Sequence, residues 1–235
     1  MPPSPLRRAL AAGLRGMRRN LGPGVLLWAV GLALVLLYFL APAARPVYDR
    51  VEGWQRTYGL AFSALSTGVC GGLLPWLFLI ALGRIRAGAR ARQLAFLIVF
   101  WVYRGVETAL LYRLQTWLFG EARRPDGTVA ALVVLKKTAL DMLTYTALWS
   151  VPTTTLAYFW WDDCQGDGRR FRAGLDRELF AVRMPALVLA AWMVWTPSVC
   201  LVYSLPSALQ VPIYNVVLCF WVLIVTVVAG RSGRD

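Results

Sequence analysis

Four charged residues lie in stretches of the sequence that are otherwise strongly apolar. Arg104 and Glu107 stand three residues apart in "WVYRGVETALLY", and Lys137 and Asp141 stand four apart in "KKTALD". Side chains at these spacings share one face of an α-helix, so each acid can neutralise its own base. Charges inside a membrane are costly, so such pairs mark either a polar lock between helices or the lining of a water path. Both interpretations stay open from the sequence.

The two charge pairs are expected on neighbouring membrane-spanning helices. In that arrangement Glu107 pairs with Lys137 and Arg104 with Asp141, so that no charge is left without an opposite charge. Tyr112 follows one helical turn after this part of the chain and is expected to donate its hydroxyl nearby. We call these five residues the predicted seam, and we expect them to face the interior of a helix bundle near mid-membrane.

Other residues that carry chemistry in proteins are absent or badly spaced. The chain has no histidine, which excludes Ser-His-Asp and Cys-His catalysis and histidine-ligated metals or haem. Glycine-rich phosphate loops are also missing, and the acids of the 161–178 loop lack the EF-hand pattern. We therefore predict no enzyme activity, no metal and no cofactor. The cysteines form no C-x-x-C pair and are interpreted as packing residues: Cys70, Cys164, Cys200 and Cys219.

The composition is that of an integral membrane protein. Of the 235 residues, 58% are hydrophobic, the mean hydropathy is +0.56, and there are eleven tryptophans. A soluble domain of this length carries more charge. The net charge of +13 is therefore attributed to basic loops on one side of a membrane, and nucleic acid is not expected as a partner.

The hydropathy pattern predicts an all-α, polytopic bundle of about six transmembrane helices. Each segment is long and apolar enough to cross about 30 Å of hydrocarbon. Pro152 interrupts the fourth segment, where a kink or an extension beyond the lipid is expected. The six predicted spans are Gly24–Leu40, Tyr58–Leu82, Gln93–Phe119, Ala131–Trp160, Phe180–Tyr203 and Leu209–Ala229.

Lys and Arg alternate between the connections in a way that predicts the topology. Fifteen lie in the two terminal tails and in the 83–92 and 161–178 loops, against five in the other connections. This bias places both termini on the cytoplasm-like side. Residues 1–22 form a basic tail with five arginines and no acid, which is expected to bind anionic lipid head groups. A mitochondrial transit segment is the alternative. A single domain over 23–229 and a polar tail over 230–235 complete the predicted organisation.

Small and polar residues in the second and last spans predict close helix packing. Gly68 and Gly72 are four residues apart, the spacing that lets helices approach closely. Asn215 is an amide in an apolar helix, so it is expected to hydrogen-bond a neighbouring span.

Several motifs keep an order that resembles one known family. The C-terminal part carries "WMVWTP", with Trp192, Trp195 and Pro197, and then "PSALQVPIYNVVLCFW", with Pro206, Gln210, Asn215 and Trp221. Upstream are the pairs Gly105 with Tyr112 and Lys137 with Asp141, and more weakly Trp54, Tyr58 and Thr67. This order resembles the peroxisomal membrane protein and mitochondrial inner-membrane (Mpv/PMP) family. Gln210 replaces the arginine of the family pattern, and Val106 replaces a proline.

The resemblance implies a divergent member of that family over about residues 54–229. It implies a small integral protein of a bacterial or mitochondrial inner membrane, with the peroxisomal membrane less favoured. It also implies a weakly selective channel or facilitator for small solutes that acts in membrane and metabolite homeostasis. The alternative function is a non-conducting assembly or scaffold protein that packs against partner helices. The expected partners are the bilayer, anionic head groups and small solutes, and a homo-oligomer is left open.

Overall fold

The computed structural model describes residues 4–231, and side chains as far as Leu223. Almost all of this range is helical, and within it β pairing is confined to one isolated bridge between Arg123 and Val129. The α-helices are α1 (Pro5–Leu40), α2 (Arg45–Thr67), α3 (Leu74–Ala81), α4 (Arg90–Phe119), α5 (Ala131–Leu140), α6 (Val151–Tyr158), α7 (Gly168–Ala173), α8 (Met184–Tyr203) and α9 (Ser207–Arg231).

Four helical segments are long and apolar enough to cross a membrane: Pro5–Leu40, Pro42–Ala81, Ala87–Phe119 and Leu179–Tyr203. A fifth apolar stretch, Ser207–Leu223, is shorter in the described residues. The predicted all-α class is confirmed, and these helices indicate an integral membrane protein. The count of six spans and the shared side of both termini remain predictions. The predicted fourth span is divided into α5 and α6, of 10 and 8 residues, by a π-helical segment.

The chain divides into two compact units, which are described separately. The first unit comprises residues 1–25 and 136–197, and the second comprises 26–135 and 198–235. Helices α1 and α8 each continue from one unit into the other. The predicted single domain over 23–229 remains a prediction. Most of the predicted C-terminal tail, residues 232–235, lies outside the described residues, as do residues 1–3 of the basic tail.

Three of the four π-helical segments in the described residues precede a proline. Gly68–Leu73, Asp141–Ser150 and Leu179–Arg183 are each followed, two residues later, by a proline: Pro75, Pro152 and Pro185. A proline inside a helix lacks the N–H that would bond to the carbonyl four residues earlier, and its ring clashes with that carbonyl. An extra residue in the preceding turn relieves this clash. At Pro152, where a kink was predicted, the helix is widened in this way.

The basic N-terminal residues belong to α1, which passes through Pro23 without ending. In the first unit this part of α1 packs against α8. A Cβ built on Gly13 would lie 2.7 Å from Leu189 Cδ1, and one on Gly16 would lie 3.4 Å from Ala190 Cβ. Arg8 Nη1 lies 2.9 Å from Glu178 Oε2. Later residues of α1 thus meet later residues of α8, so the two helices run parallel here.

Candidate functional site

The first pair of the predicted seam forms an ion pair within α4, in the second unit. Arg104 Nη1 lies 2.8 Å from Glu107 Oε2, and the two side chains are 7% and 14% exposed. Both charged side chains are therefore mostly buried. An exposed ion pair at this spacing would contribute little to the stability of the protein. The second carboxylate oxygen of Glu107 is buried and has no hydrogen-bond partner among the described residues.

Helix α2 lies directly against α4 beside this ion pair. A Cβ built on Gly105 would lie 2.5 Å from the carbonyl oxygen of Ser63 and 2.7 Å from Thr67 Oγ1. Glycine is thus required at position 105, because any side chain would meet the backbone of α2. Gly105, known from the sequence only as a family-like residue, brings Ser63 and Thr67 of α2 against α4 at the residue that follows Arg104.

Asn215 of α9 completes this group of polar side chains. Thr67 Oγ1 donates to Asn215 Oδ1 at 2.8 Å, and Asn215 Nδ2 donates to Ser66 Oγ at 2.8 Å. The amide is 1% exposed and uses both its donor and its acceptor on one neighbouring helix. This is the bonding between spans that the sequence predicted for Asn215. In hydrocarbon an amide without such partners would be costly.

The hydrogen bonds continue along α2 towards its N-terminus. Gln55 Nε2 donates to Ser63 Oγ at 3.0 Å and to the carbonyl oxygen of Gly59 at 3.2 Å. Gly59 itself has a φ of 52°, a left-handed conformation that favours glycine and bends α2 at this point. The bend exposes the Gly59 carbonyl to a side chain of its own helix. Gln55 was not predicted as a partner of Ser63, because the sequence does not show that the residue between them, Gly59, has a non-helical backbone.

We call two neighbouring groups together the polar cluster: the hydrogen-bonded residues Gln55, Ser63, Ser66, Thr67 and Asn215, and the ion pair of Arg104 and Glu107, which flanks Gly105 in α4. All seven belong to the second unit. Its centre is the packing of α2 between α4 and α9, and it runs for several helical turns along α2. Sequence reasoning found Arg104, Glu107 and Asn215 from their charge or polarity in apolar helices.

Tyr112 is buried in the second unit among aromatic rings. Its ring meets Tyr203 edge-on at 5.1 Å and Tyr214 at 6.2 Å between centroids. Such edge-to-face contacts add to the energy of burial. The predicted donation of its hydroxyl to the seam remains a prediction.

Lys137 and Asp141 lie in the first unit, at the junction of α5 with the following π-helical segment. Lys137 is 0% exposed and Asp141 is 4% exposed. Thr146 Oγ1 donates to Asp141 Oδ1 at 3.0 Å, so this carboxylate is held by a hydroxyl of its own helix. The convergence of this pair with Arg104, Glu107 and Tyr112 remains a prediction.

The predicted packing glycines lie in the π-helical segment after α2. A Cβ on Gly68 would lie 2.7 Å from Val102 Cγ2, and one on Gly72 would lie 3.2 Å from the Leu97 carbonyl oxygen. The neighbouring Gly71 is closer still, at 2.5 Å from the ring of Trp101. All three contacts are with α4. Gly71 was not predicted from the sequence, because it lies on the face that contacts α4 only as a result of the widened π turn.

The family-like residues of the C-terminal part are placed in several environments. Trp192 donates from Nε1 to the Met142 carbonyl oxygen at 2.7 Å in the first unit. Pro197 lies inside α8, and Pro206 precedes α9. Gln210 is 0% exposed, and its Nε2 donates to the Leu205 carbonyl oxygen at 3.0 Å. Other family-like positions lie in these helices too: Trp195 in α8 and Trp221 in α9.

Loss of the Asn215 hydrogen bonds is expected to loosen the packing of α9 on α2. We expect Asn215→Leu to lower the free energy of unfolding by about 0.6 to 2 kcal/mol, the range for hydrogen bonds between membrane helices. Unfolding by SDS in mixed micelles, followed by circular dichroism, measures the change. Phe220→Leu on the exposed side of the same helix is the control and should have little effect. Equal stability of the Asn215→Leu variant and the wild type would contradict this role.

Comparison with known proteins adds no assignment. The chain matches no protein-family model, no curated protein and no solved structure. The resemblance to the Mpv/PMP family therefore rests on the sequence motifs alone and remains a prediction.

Proposed function

We propose that the protein is a weakly selective channel or facilitator for small polar solutes, and that the polar cluster is part of the route. The observation that carries the proposal is the second carboxylate oxygen of Glu107. It is buried, and no hydrogen-bond partner for it lies within the described residues. Buried acceptors in proteins nearly always bind a donor, so this oxygen favours access by water or a solute.

The chemistry of the polar cluster favours uncharged polar solutes. Arg104 and Glu107 neutralise each other, so the cluster offers donors and acceptors with no net charge. Ser66, Thr67 and Asn215 add hydroxyl and amide groups, which are able both to donate hydrogen bonds to water or alcohols and to accept them. Consistent with the absence of histidine, we propose no catalytic step. A bacterial or mitochondrial inner membrane is the proposed location.

The alternative is a non-conducting assembly protein. In that function the polar cluster is a dry lock, and the outward apolar surface packs on partner helices. Exposed apolar residues of this kind occur in each unit separately: Trp117, 79% exposed, in the second unit, and Leu148, 74% exposed, in the first. Contact with lipid explains exposed apolar residues equally well, so they do not distinguish an assembly protein from a facilitator. The buried oxygen of Glu107 gives the facilitator the stronger support.

Swelling of liposomes that contain the purified protein tests the proposal. We expect uptake of small uncharged solutes that depends on protein and falls as the size of the solute increases. Thr67→Val removes a cluster hydroxyl without changing the shape of the side chain, and it is expected to lower uptake several-fold. Thr153→Val is the matched control, because the Thr153 hydroxyl bonds only to carbonyls of its own helix in the first unit.

The outcomes separate the two functions. Vesicles that stay sealed with correctly folded wild-type protein would overturn the facilitator and favour the assembly protein. Uptake that is equally reduced by both threonine variants, or by neither, would remove the polar cluster from the route.

A further inference from the structure

The first unit contains an apolar cleft that the polar cluster does not involve. It has a volume of about 440 Å³, within the range of about 300 to 1,000 Å³ in which ligand sites fall. Helix α1 contributes Leu6 and Leu10 to its walls, the π-helical segment before α8 contributes Phe180, and α8 itself contributes Met184. Every side chain that lines it is apolar apart from the indole N–H of Trp192. That N–H already donates to the Met142 carbonyl oxygen at 2.7 Å.

Local sequence explains why the helices leave a space here. Ala9 on α1 and Ala147 in the π-helical segment before α6 are small, and Pro152 and Pro185 lie at the junctions where π turns pass into α-helices. Further along α1, Gly13 lets the helix approach α8 closely. The space between α1 and α8 is therefore open where the lining side chains are small. It narrows further along α1, where Gly13 has no side chain to keep the two helices apart.

The charge around the cleft is positive. The lining residues of α1 lie in its basic half, which has five arginines and no acid in residues 1–22. Arg7 follows Leu6 in the sequence, Arg183 precedes Met184, and both arginines are exposed. Two acids that precede Phe180 in the sequence already have partners: Glu178 pairs with Arg8 at 2.9 Å, and Asp176 Oδ1 accepts from the Leu179 backbone N–H at 2.8 Å.

We propose that this cleft binds one acyl chain of an anionic phospholipid, whose head group is held by Arg7 and Arg183. The apolar walls match a hydrocarbon chain, and the two exposed arginines match a phosphate. An amphipathic, arginine-rich helix next to an apolar span is also the arrangement that binds at the lipid–water boundary. The site gives the basic half of α1 a lipid with a defined position, instead of a diffuse attraction to the membrane surface.

Native mass spectrometry of the full chain, delipidated in mild detergent, tests the site. The probes are phosphatidylglycerol and phosphatidylcholine with identical palmitoyl and oleoyl chains. We expect one phosphatidylglycerol per chain, bound about thirtyfold more tightly than phosphatidylcholine, since each basic residue near a lipid surface contributes about a factor of five. Arg7→Gln/Arg183→Gln should remove that preference. Arg50→Gln/Arg86→Gln changes two exposed arginines of the second unit and should leave it intact.

A filled cleft provides the second comparison. Ala147→Phe should abolish retention of both lipids, whereas Ala61→Phe, the same change at an exposed position of α2, should not.

Phosphatidylglycerol with a photoreactive acyl chain tests the site in the wild-type protein, without any variant. Its label should map to the peptides that contain Phe180 and Trp192. Equal binding of the two lipids, or retention unchanged by Ala147→Phe, would overturn the proposal. So would labels spread over all exposed helices, or a second protein chain bound in place of lipid.

Discussion

Replacing Arg104 with methionine is expected to lower the free energy of unfolding by about 3 to 5 kcal/mol, because it leaves a buried carboxylate without its cation. Within the described residues, Arg104 supplies the hydrogen bond and the ion pair of Glu107, whose side chain is 14% exposed. Methionine keeps most of the apolar stem of arginine but lacks the guanidinium group, so a double variant that also removes the Glu107 charge is needed to separate the loss of charge from the loss of volume. Reversible unfolding by SDS in mixed micelles gives the free energy.

The double variant Arg104→Met/Glu107→Gln isolates the coupling between the two residues. Removing both charges leaves none unpaired, so the double change should cost less than the sum of the single changes. Strict additivity would show that the two charges do not stabilise each other. The Glu52–Arg56 pair on α2 is the control, because its arginine is 68% exposed. Arg56→Met should cost only about 0.2 to 1 kcal/mol.

Much of the fold follows from short-range rules that can be applied to the sequence. Long apolar segments predict membrane helices because an unsatisfied backbone cannot lie in lipid. The basic half of α1 was predicted only as a tail, since five arginines in residues 1–22 reduce its apolar character. In the structure α1 begins at Pro5, and Arg8 pairs with Glu178, 170 residues later. Contacts at that separation leave no signal in one sequence.

The π-helical segments limit what spacing alone can predict about the site. Gly68 and Gly72 were chosen as an α-helical pair, yet the closest approach to α4 is at Gly71. A π turn holds more residues than an α turn, so it changes which side chains share a face. The same holds for Asp141, which opens a π-helical segment. Pro75, Pro152 and Pro185 each stand two residues after such a segment, but Pro23 and Pro197 lie inside α-helices without one, so a proline by itself does not predict a π turn.

The closest contact between α2 and α4 predicts the second large effect. Gly105→Ala is expected to lower the free energy of unfolding by about 1 to 3 kcal/mol, because overpacking forces neighbours apart. The new methyl group would stand 2.5 Å from the backbone oxygen of Ser63, which cannot turn away as a side chain can. The helices would have to separate, and the hydrogen bonds between Asn215 and α2 would lengthen with them. The same denaturation experiment measures the loss.

Gly53→Ala is the matched control for this substitution. Gly53 lies in α2, and a Cβ built there meets nothing within 4 Å. Alanine at an open helical position should raise stability by about 0.5 to 1 kcal/mol, since glycine has more conformational freedom to lose on folding. The two alanines therefore have opposite expected signs, although both replace a helical glycine in the second unit. A stabilising Gly105→Ala would mean that α2 and α4 do not meet at Ser63, and the polar cluster would lose the contact of α4 with Ser63 and Thr67.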